Sequence, residues 1–381
     1  MPISPENIPL SLYIHVPWCV RKCPYCDFNS HELKDNLPEQ LYLAALAQEL
    51  ESKIEMLNGR SIRSIFFGGG TPSLLSGQAI ETILTHIRTI LPLSTALEIT
   101  LEANPGTVDE NRFKAFFQAG VNRLSLGVQS LQSDKLEVLG RIHDRAGAVR
   151  AIHAAQKAGF ENINIDLMYG LPQQSIADAL DDLKEVMAFK PNHLSWYQLT
   201  LEPNTFFYHQ PPVLPHEDLI WDMQIAGHAL LATEGYAQYE VSAYAKHSHA
   251  CQHNLNYWQF GDYLGIGPGA HSKLTLTDQV IRFAQVKNPR DYLDANKRSQ
   301  FNPTPLTTND LVFEFMLNAL RLTEGISVKL FTERTGSTLL PIQDILQEAI
   351  KRDLLIQSDQ CLCPTVKGQR YLNNLMGMFL P

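Results

Sequence analysis

The chain has 381 residues, with 31 basic and 40 acidic side chains and a net charge of -9. That balance lacks the basic field that binding a polyanion requires, so nucleic acid is not an expected partner. No apolar run approaches the ~20 residues of a membrane span, and the opening Met1-Pro-Ile-Ser-Pro-Glu-Asn has no signal-peptide character, so no transmembrane segment and a cytoplasmic location are expected.

From residue 10 to about 200, short apolar runs rich in β-branched and aromatic residues alternate with longer stretches of helical period, as in repeated βα units. The expected strands are Leu12–Val16, Ile62–Phe67, Leu97–Leu101, Arg123–Val128, Ile163–Leu167 and Leu194–Leu199. Between the first two, Leu43, Leu46, Leu50, Ile54 and Leu57 form an apolar stripe on a helix whose other side carries Glu49, Glu51, Lys53 and Glu55. Just after the first strand, Cys19, Cys23 and Cys26 fall within eight residues. In a reducing compartment such thiols point to metal or redox chemistry rather than disulfides. Three soft thiolates on one loop can hold three irons of a 4Fe–4S cube and leave the fourth open. The alternative, a structural zinc site, needs four closed ligands, and no second cysteine pair lies nearby.

Past residue 205 the character changes. Pro211, Pro212 and Pro215 mark a linker before a helix at 216–234, and the loop-rich stretch Tyr236 to Ser272 is expected to fold back over the barrel. Helices are expected over Asp310–Arg321, Val328–Thr335 and Ile342–Asp353, then a short hairpin through Cys361 and a last helix from Lys367. This order is winged-helix-like, yet residues 308–381 carry seven basic and eight acidic side chains, the wrong field for phosphates, so a packing or partner-docking domain is expected.

In βα barrels the chemistry collects at the carboxyl ends of the strands. There the sequence places the cysteine loop, Gly68-Gly69-Gly70-Thr71-Pro72, Glu102, Gln129 and Asp166, with Arg141 further on. Glycines permit close backbone approach to a ligand, although a plain tight turn explains them equally well. Glu102, Gln129, Arg141 and Asp166 together offer two carboxylates, an amide and a guanidinium to a zwitterionic ligand, the arginine fork suiting a carboxylate. Taken singly, each reads as surface ion pairing. Tyr13, near the end of the first strand, reads equally as core packing or as a ligand contact.

Cys-x-x-x-Cys-x-x-Cys after the first strand, with Gly-Gly-Gly-Thr-Pro after the second, resembles the radical SAM superfamily over most of the chain. Within it the likeness is to the branch of oxygen-independent coproporphyrinogen III oxidase and the related HemW haem chaperones. The resemblance implies an α/β fold: a partial (β/α)6 radical SAM barrel over 1–205, an extension and connecting segment over 206–305, and a smaller, mostly helical, winged-helix-like C-terminal domain over 306–381. It implies a 4Fe–4S cluster on Cys19, Cys23 and Cys26. It further implies S-adenosylmethionine against Tyr13, Gly69, Gly70, Thr71, Glu102, Gln129, Arg141 and Asp166.

Two features bear on the sub-branch. Phe28 stands two residues beyond Cys26, where the authentic oxidases carry a further cysteine, and the segment before the first strand is shorter than theirs. His253-Asn-Leu-Asn-Tyr-Trp258 matches the His-Asn-x-x-Tyr-Trp pattern associated with haem binding, which implies haem against His253, Tyr257 and Trp258. A structural role remains open for these three, with His253 capping a turn and the aromatics filling the joint between barrel and tail. Cys363-Pro364 is weaker evidence of the same kind, since proline also stops a hairpin strand. The expectation is a cytoplasmic haem chaperone passing haem to apo-haemoproteins. The alternatives are an oxygen-independent coproporphyrinogen III oxidase or related tetrapyrrole enzyme, and a scaffold whose cluster senses redox state or assembles a homodimer.

Overall fold

The computed structural model describes residues 3–298 and 301–380; Met1, Pro2, Ser299, Gln300 and Pro381 lie outside the described residues. The six expected strands are all present and adjacent: β1 (Leu10–Val16), β2 (Ile62–Gly69), β3 (Leu93–Ala103), β4 (Arg123–Gln129), β5 (Asn162–Tyr169) and β6 (His193–Gln198) run parallel, side by side in chain order. Their outward residues, among them Leu12, Ile14, Ile65, Phe67, Leu101, Leu124 and Ile165, are buried under the helices. These helices are α1 (Glu39–Glu51), α2 (Gly77–Ile90), α3 (Glu110–Ala119), α4 (Arg145–Lys157) and α5 (Ile176–Ala188). Starts are fixed by side-chain caps: Ser76 accepts from Ala79 N–H, Asp109 from Arg112 N–H, Asp144 from Gly147 N–H, and Ser175 forms a capping box with Asp178. Each such cap is worth about 1 kcal/mol.

The region after residue 205 departs from expectation. After α6 (Glu217–Thr233), β7 (Ala237–Glu240) and β8 (Ala243–Ala245) return to the sheet, β8 pairing antiparallel with β6. A short helix, α7 (Gln252–Trp258), follows, and then β9 (Asp262–Ile266) lies parallel against the outer edge of β1, followed by β10 (His271–Thr275) and β11 (Val280–Ala284). The result, with the two-residue strand Thr304–Pro305, is one twelve-stranded sheet with seven parallel strands at its centre. The described residues of 206–305 are therefore woven into both flanks of the barrel rather than laid over it. Their strands run two to five residues, too short for apolar alternation to mark them in the sequence.

The same weaving corrects the expected polar side of α1. Glu49 and Lys53 are buried, because the 262–298 segment packs on them: Glu49 accepts from Gly267 N–H at 2.9 Å and from Tyr292 O–H at 2.7 Å. Lys53 sits 4.5 Å over the Phe283 ring.

The C-terminal unit holds α8 (Thr308–Ala319), α9 (Val328–Thr335) and α10 (Gln343–Lys351), a three-stranded sheet of Ile326–Ser327, Cys361–Pro364 and Leu355–Gln357, and two short final helices. Its core of Leu311, Phe315, Met316, Phe331 and Leu346 continues into Phe260 and Val280 of the preceding segment. The two units share one apolar seam.

Candidate functional site

The carboxyl ends of β1 to β5 surround a cavity of about 310 Å³. Cys19, Cys23, Cys26, Gly69, Gly70, Thr71, Glu102, Gln129, Arg141 and Asp166 all line it. Phe28 stands at the same cavity, 60% exposed. Arg21, Tyr25, Ser125, Ser195 and Tyr197 complete much of the wall and were not anticipated. Their signal was available: on β4, Arg123, Ser125, Gly127 and Gln129 fall at spacing two on the inward face.

Each thiol has a hydrogen-bonding neighbour. Arg141 Nη1 donates to Cys23 Sγ at 3.4 Å, Cys26 Sγ lies 3.6 Å from Ser30 Oγ, and Cys19 meets the Thr71 hydroxyl. Burial pushes the Cys19 and Cys26 thiols up, and these bonds work against that. Among the described residues no three His, Cys, Asp or Glu side chains are drawn together around one ion position.

The glycine run approaches its neighbours closely. Gly69 has φ +111°, and a β-carbon there would stand 2.6 Å from the His15 ring; at Gly70 it would meet the Trp18 carbonyl at 2.6 Å. Gly69 N–H points to Glu102 Oε2 at 3.3 Å. Burial first, and the nearby Asp166 second, push Glu102 up to about 8. Burial also raises Asp166, against bonds from Asn164, Ser195 and Ser125. Arg141 Nη2 donates to the Gly127 carbonyl at 2.7 Å, while its Nε is buried with no partner. Gln129 takes a left-handed φ of 71° and accepts from Tyr197 O–H at 2.7 Å. Three soft donors, an arginine with an unused N–H and a glycine cradle facing one cavity fit a thiolate-held cluster beside a zwitterionic ligand.

The remaining expected residues are elsewhere. Tyr13 does not line the cavity; its hydroxyl bonds His15 Nδ1 at 3.0 Å and its ring stacks on Phe66. His253, Tyr257 and Trp258 lie on α7, which plugs the other end of the barrel. His253 bonds Ser64 Oγ at 3.0 Å, five residues before Gly69 on β2 and so about 16 Å from the rim. Its ring stacks on Phe66 at 4.9 Å and is 2% exposed. Tyr257 packs against Tyr263 with the rings tilted by 36°, and Trp258 lies 4.3 Å under the Arg321 guanidinium, which also pairs with Glu240. Glu98 caps the plug, accepting from Gln252 N–H and His253 N–H at 3.1 Å each. Cys363 Sγ bonds the Thr323 carbonyl at 3.5 Å, within the C-terminal sheet.

A partial parallel βα barrel with three cysteines on the loop after its first strand defines a radical SAM protein. The model of the radical SAM superfamily matches residues 13–186, and that of the HemN C-terminal domain matches 306–371. The chain is 48% identical to the haem chaperone HemW of Escherichia coli and 46% identical to that of Haemophilus influenzae, covering 98% and 99% of each relative and the same shares of this chain. The HemW of Bacillus subtilis is 34% identical, over 97% of this chain and 99% of that one. The solved structure of E. coli coproporphyrinogen III oxidase, HemN, superposes with a TM-score of 0.82 at 23% identity, covering 99% of this chain and 91% of that one. The chain belongs to the radical SAM superfamily, in the branch of the HemW haem chaperones. No helix among the described residues is long and apolar enough to cross a membrane.

Proposed function

We propose that this protein is a cytoplasmic haem chaperone that binds haem and hands it to apo-haemoproteins. The observation that carries this reading is the end-to-end likeness to proteins described as haem chaperones. Cys19, Cys23 and Cys26 hold a 4Fe–4S cluster, and Gly69, Gly70, Thr71, Glu102, Gln129, Arg141 and Asp166 hold S-adenosylmethionine, with Tyr13 backing the glycine strand through His15. When bound, the cluster supplies an open iron and a low-potential electron. The chain's own part is to bind, orient and screen the ligand. Arg141 spans a thiol and a backbone carbonyl, Gln129 is fixed by Tyr197, and Phe28 leaves the rim without a fourth cysteine.

His253, Tyr257 and Trp258 are the haem residues in this reading. Burial, with Arg123 adding to it, pushes His253 down to about 3, so its imidazole stays neutral. Its Nε2 is buried without a partner, which is the state that binds iron. Ligation therefore requires α7 to leave the barrel floor. A cluster-dependent homodimer belongs to the same reading, and gel filtration with and without cluster tests it.

Anaerobically reconstituted protein should retain haem and pass it to an apo-haemoprotein, and should form no vinyl product from coproporphyrinogen. Vinyl product would replace the chaperone by an oxidase. His253→Ala should shift the haem absorption spectrum, and an unchanged spectrum would remove His253 as the ligand.

A further inference from the structure

On the β4 to β6 side of the barrel interior a polar line runs from floor to rim, and its hydrogen bonds point one way. Asn164 Nδ2 donates to Asp166 Oδ1 at 2.8 Å and to Ser125 Oγ at 2.7 Å, and Ser125 Oγ donates to Asp166 Oδ2 at 3.2 Å. That leaves Asn164 Oδ1 as an acceptor, and His193 Nδ1 reaches it at 2.6 Å, beside the Ser195 hydroxyl, which donates to it at 3.1 Å. An amide oxygen cannot donate, so His193 carries its proton on Nδ1. Burial first and Arg123 second hold this imidazole neutral. Its bare Nε2 then accepts from Tyr239 O–H at 2.8 Å, and the Tyr239 oxygen accepts from Cys251 N–H at 3.2 Å. Cys251 is the residue that opens α7.

We propose that His193 is a positioning residue for Asp166, and that the donor chain Cys251–Tyr239–His193–Asn164–Asp166 couples the plug helix at the barrel floor to the ligand cavity at its rim. Every bond in the chain presents its donor toward the carboxylate, so each polarises the next and all favour the Asp166 anion. Besides this chain, Asp166 faces Arg123 on β4, Glu102 on β3 and Ser195 and Tyr197 on β6. The coupling is reciprocal: a ligand that displaces α7 weakens the rim, and a ligand held at the rim steadies α7. This rests on the proposal that S-adenosylmethionine occupies the rim.

The test is S-adenosylmethionine affinity from pH 6 to 9, by calorimetry on the anaerobically reconstituted protein. His193→Leu keeps bulk but no donor and should lose about tenfold, with the midpoint of its pH profile moved upward. His193→Gln can donate to Asn164 while accepting from Tyr239, and should restore most of the affinity. Tyr239→Phe, which touches nothing in the cavity, should move both quantities the same way by about two- to fivefold. Unchanged affinity and profile in a folded His193→Leu, or a folded Gln variant as weak as Leu, would overturn the proposal. Nitrogen-15 histidine NMR keeps the chain testable without ligand. His193 should be the Nδ1–H tautomer at pH 7, and an Nε2–H tautomer sinks the chain. If the wild type binds no S-adenosylmethionine while that tautomer is present, the rim reading fails and the chain stands.

Discussion

The two ends of the barrel use similar residue types to opposite effect. At the rim, glycines, thiols, an arginine with an unused N–H and two carboxylates with raised pKa surround open space. At the floor, histidine, cysteine, glutamate and aromatics close on each other until His253 is 2% and Cys251 0% exposed. Polar residues after parallel strands leave a cavity only where no later segment fills it, and α7 fills one end alone.

The contrast is broken most strongly at the thiols. Cys23→Ser should abolish the visible absorption of a reconstituted cluster while leaving circular dichroism and melting temperature near wild type; retained cluster would shift the centre away from this loop.

Next in size is the buried hub beside the floor. Asp262 accepts from Arg60 Nη1 at 2.7 Å, Lys273 Nζ at 3.0 Å and Thr275 N–H at 2.8 Å. Burial alone would raise its carboxyl, but Lys273 and Arg60 prevail and hold it below the usual range. Asp262→Asn leaves two buried cations uncompensated and should cost about 3–5 kcal/mol in denaturant unfolding. The wild-type contribution should be present at neutral pH and fade as acid protonates Asp262; a neutral substitution would show the pair to be replaceable.

A smaller effect sharpens the rim. Because Glu102 lies at about 8, it is mostly protonated at pH 7. A ligand bringing positive charge favours the ionised form, so binding should expel a proton and affinity should rise with pH toward 8, by at most tenfold per unit. Calorimetry in buffers of different ionisation heat reads the proton, and an affinity falling with pH contradicts the assignment. Smallest is the seam: Arg321→Ala removes the Glu240 pair and the Trp258 contact, and should lower stability by about 1–2 kcal/mol without altering the rim.

The six strands and their terminal residues were legible because buried parallel strands are long apolar runs and the chemistry sits at a fixed offset after each. Tyr197 and Ser125 lie inside their strands rather than after them, where alternation alone does not separate a ligand contact from interior packing. Glu49 and Lys53 misled because a charged helix side reads as solvated unless the covering segment is known, and that segment lies over two hundred residues away. His253 fitted a ligand pattern, but sequence spacing gives no measure of which end of a barrel a helix closes.

Sheet order also dictates when this protein can be finished. β1 is flanked by β2 and by β9, and the cysteine loop that follows β1 is pinned through Asn29 Nδ2 to the carbonyls of Pro268 and Lys287, 2.9 Å each. At a synthesis rate of about 5–20 residues per second, the outer edge of the first strand waits roughly 12–50 s for its mate. On the proposed cluster assignment, iron would meet a properly shaped loop only once about three quarters of the polypeptide has left the ribosome, which would make cluster loading a late event in biogenesis.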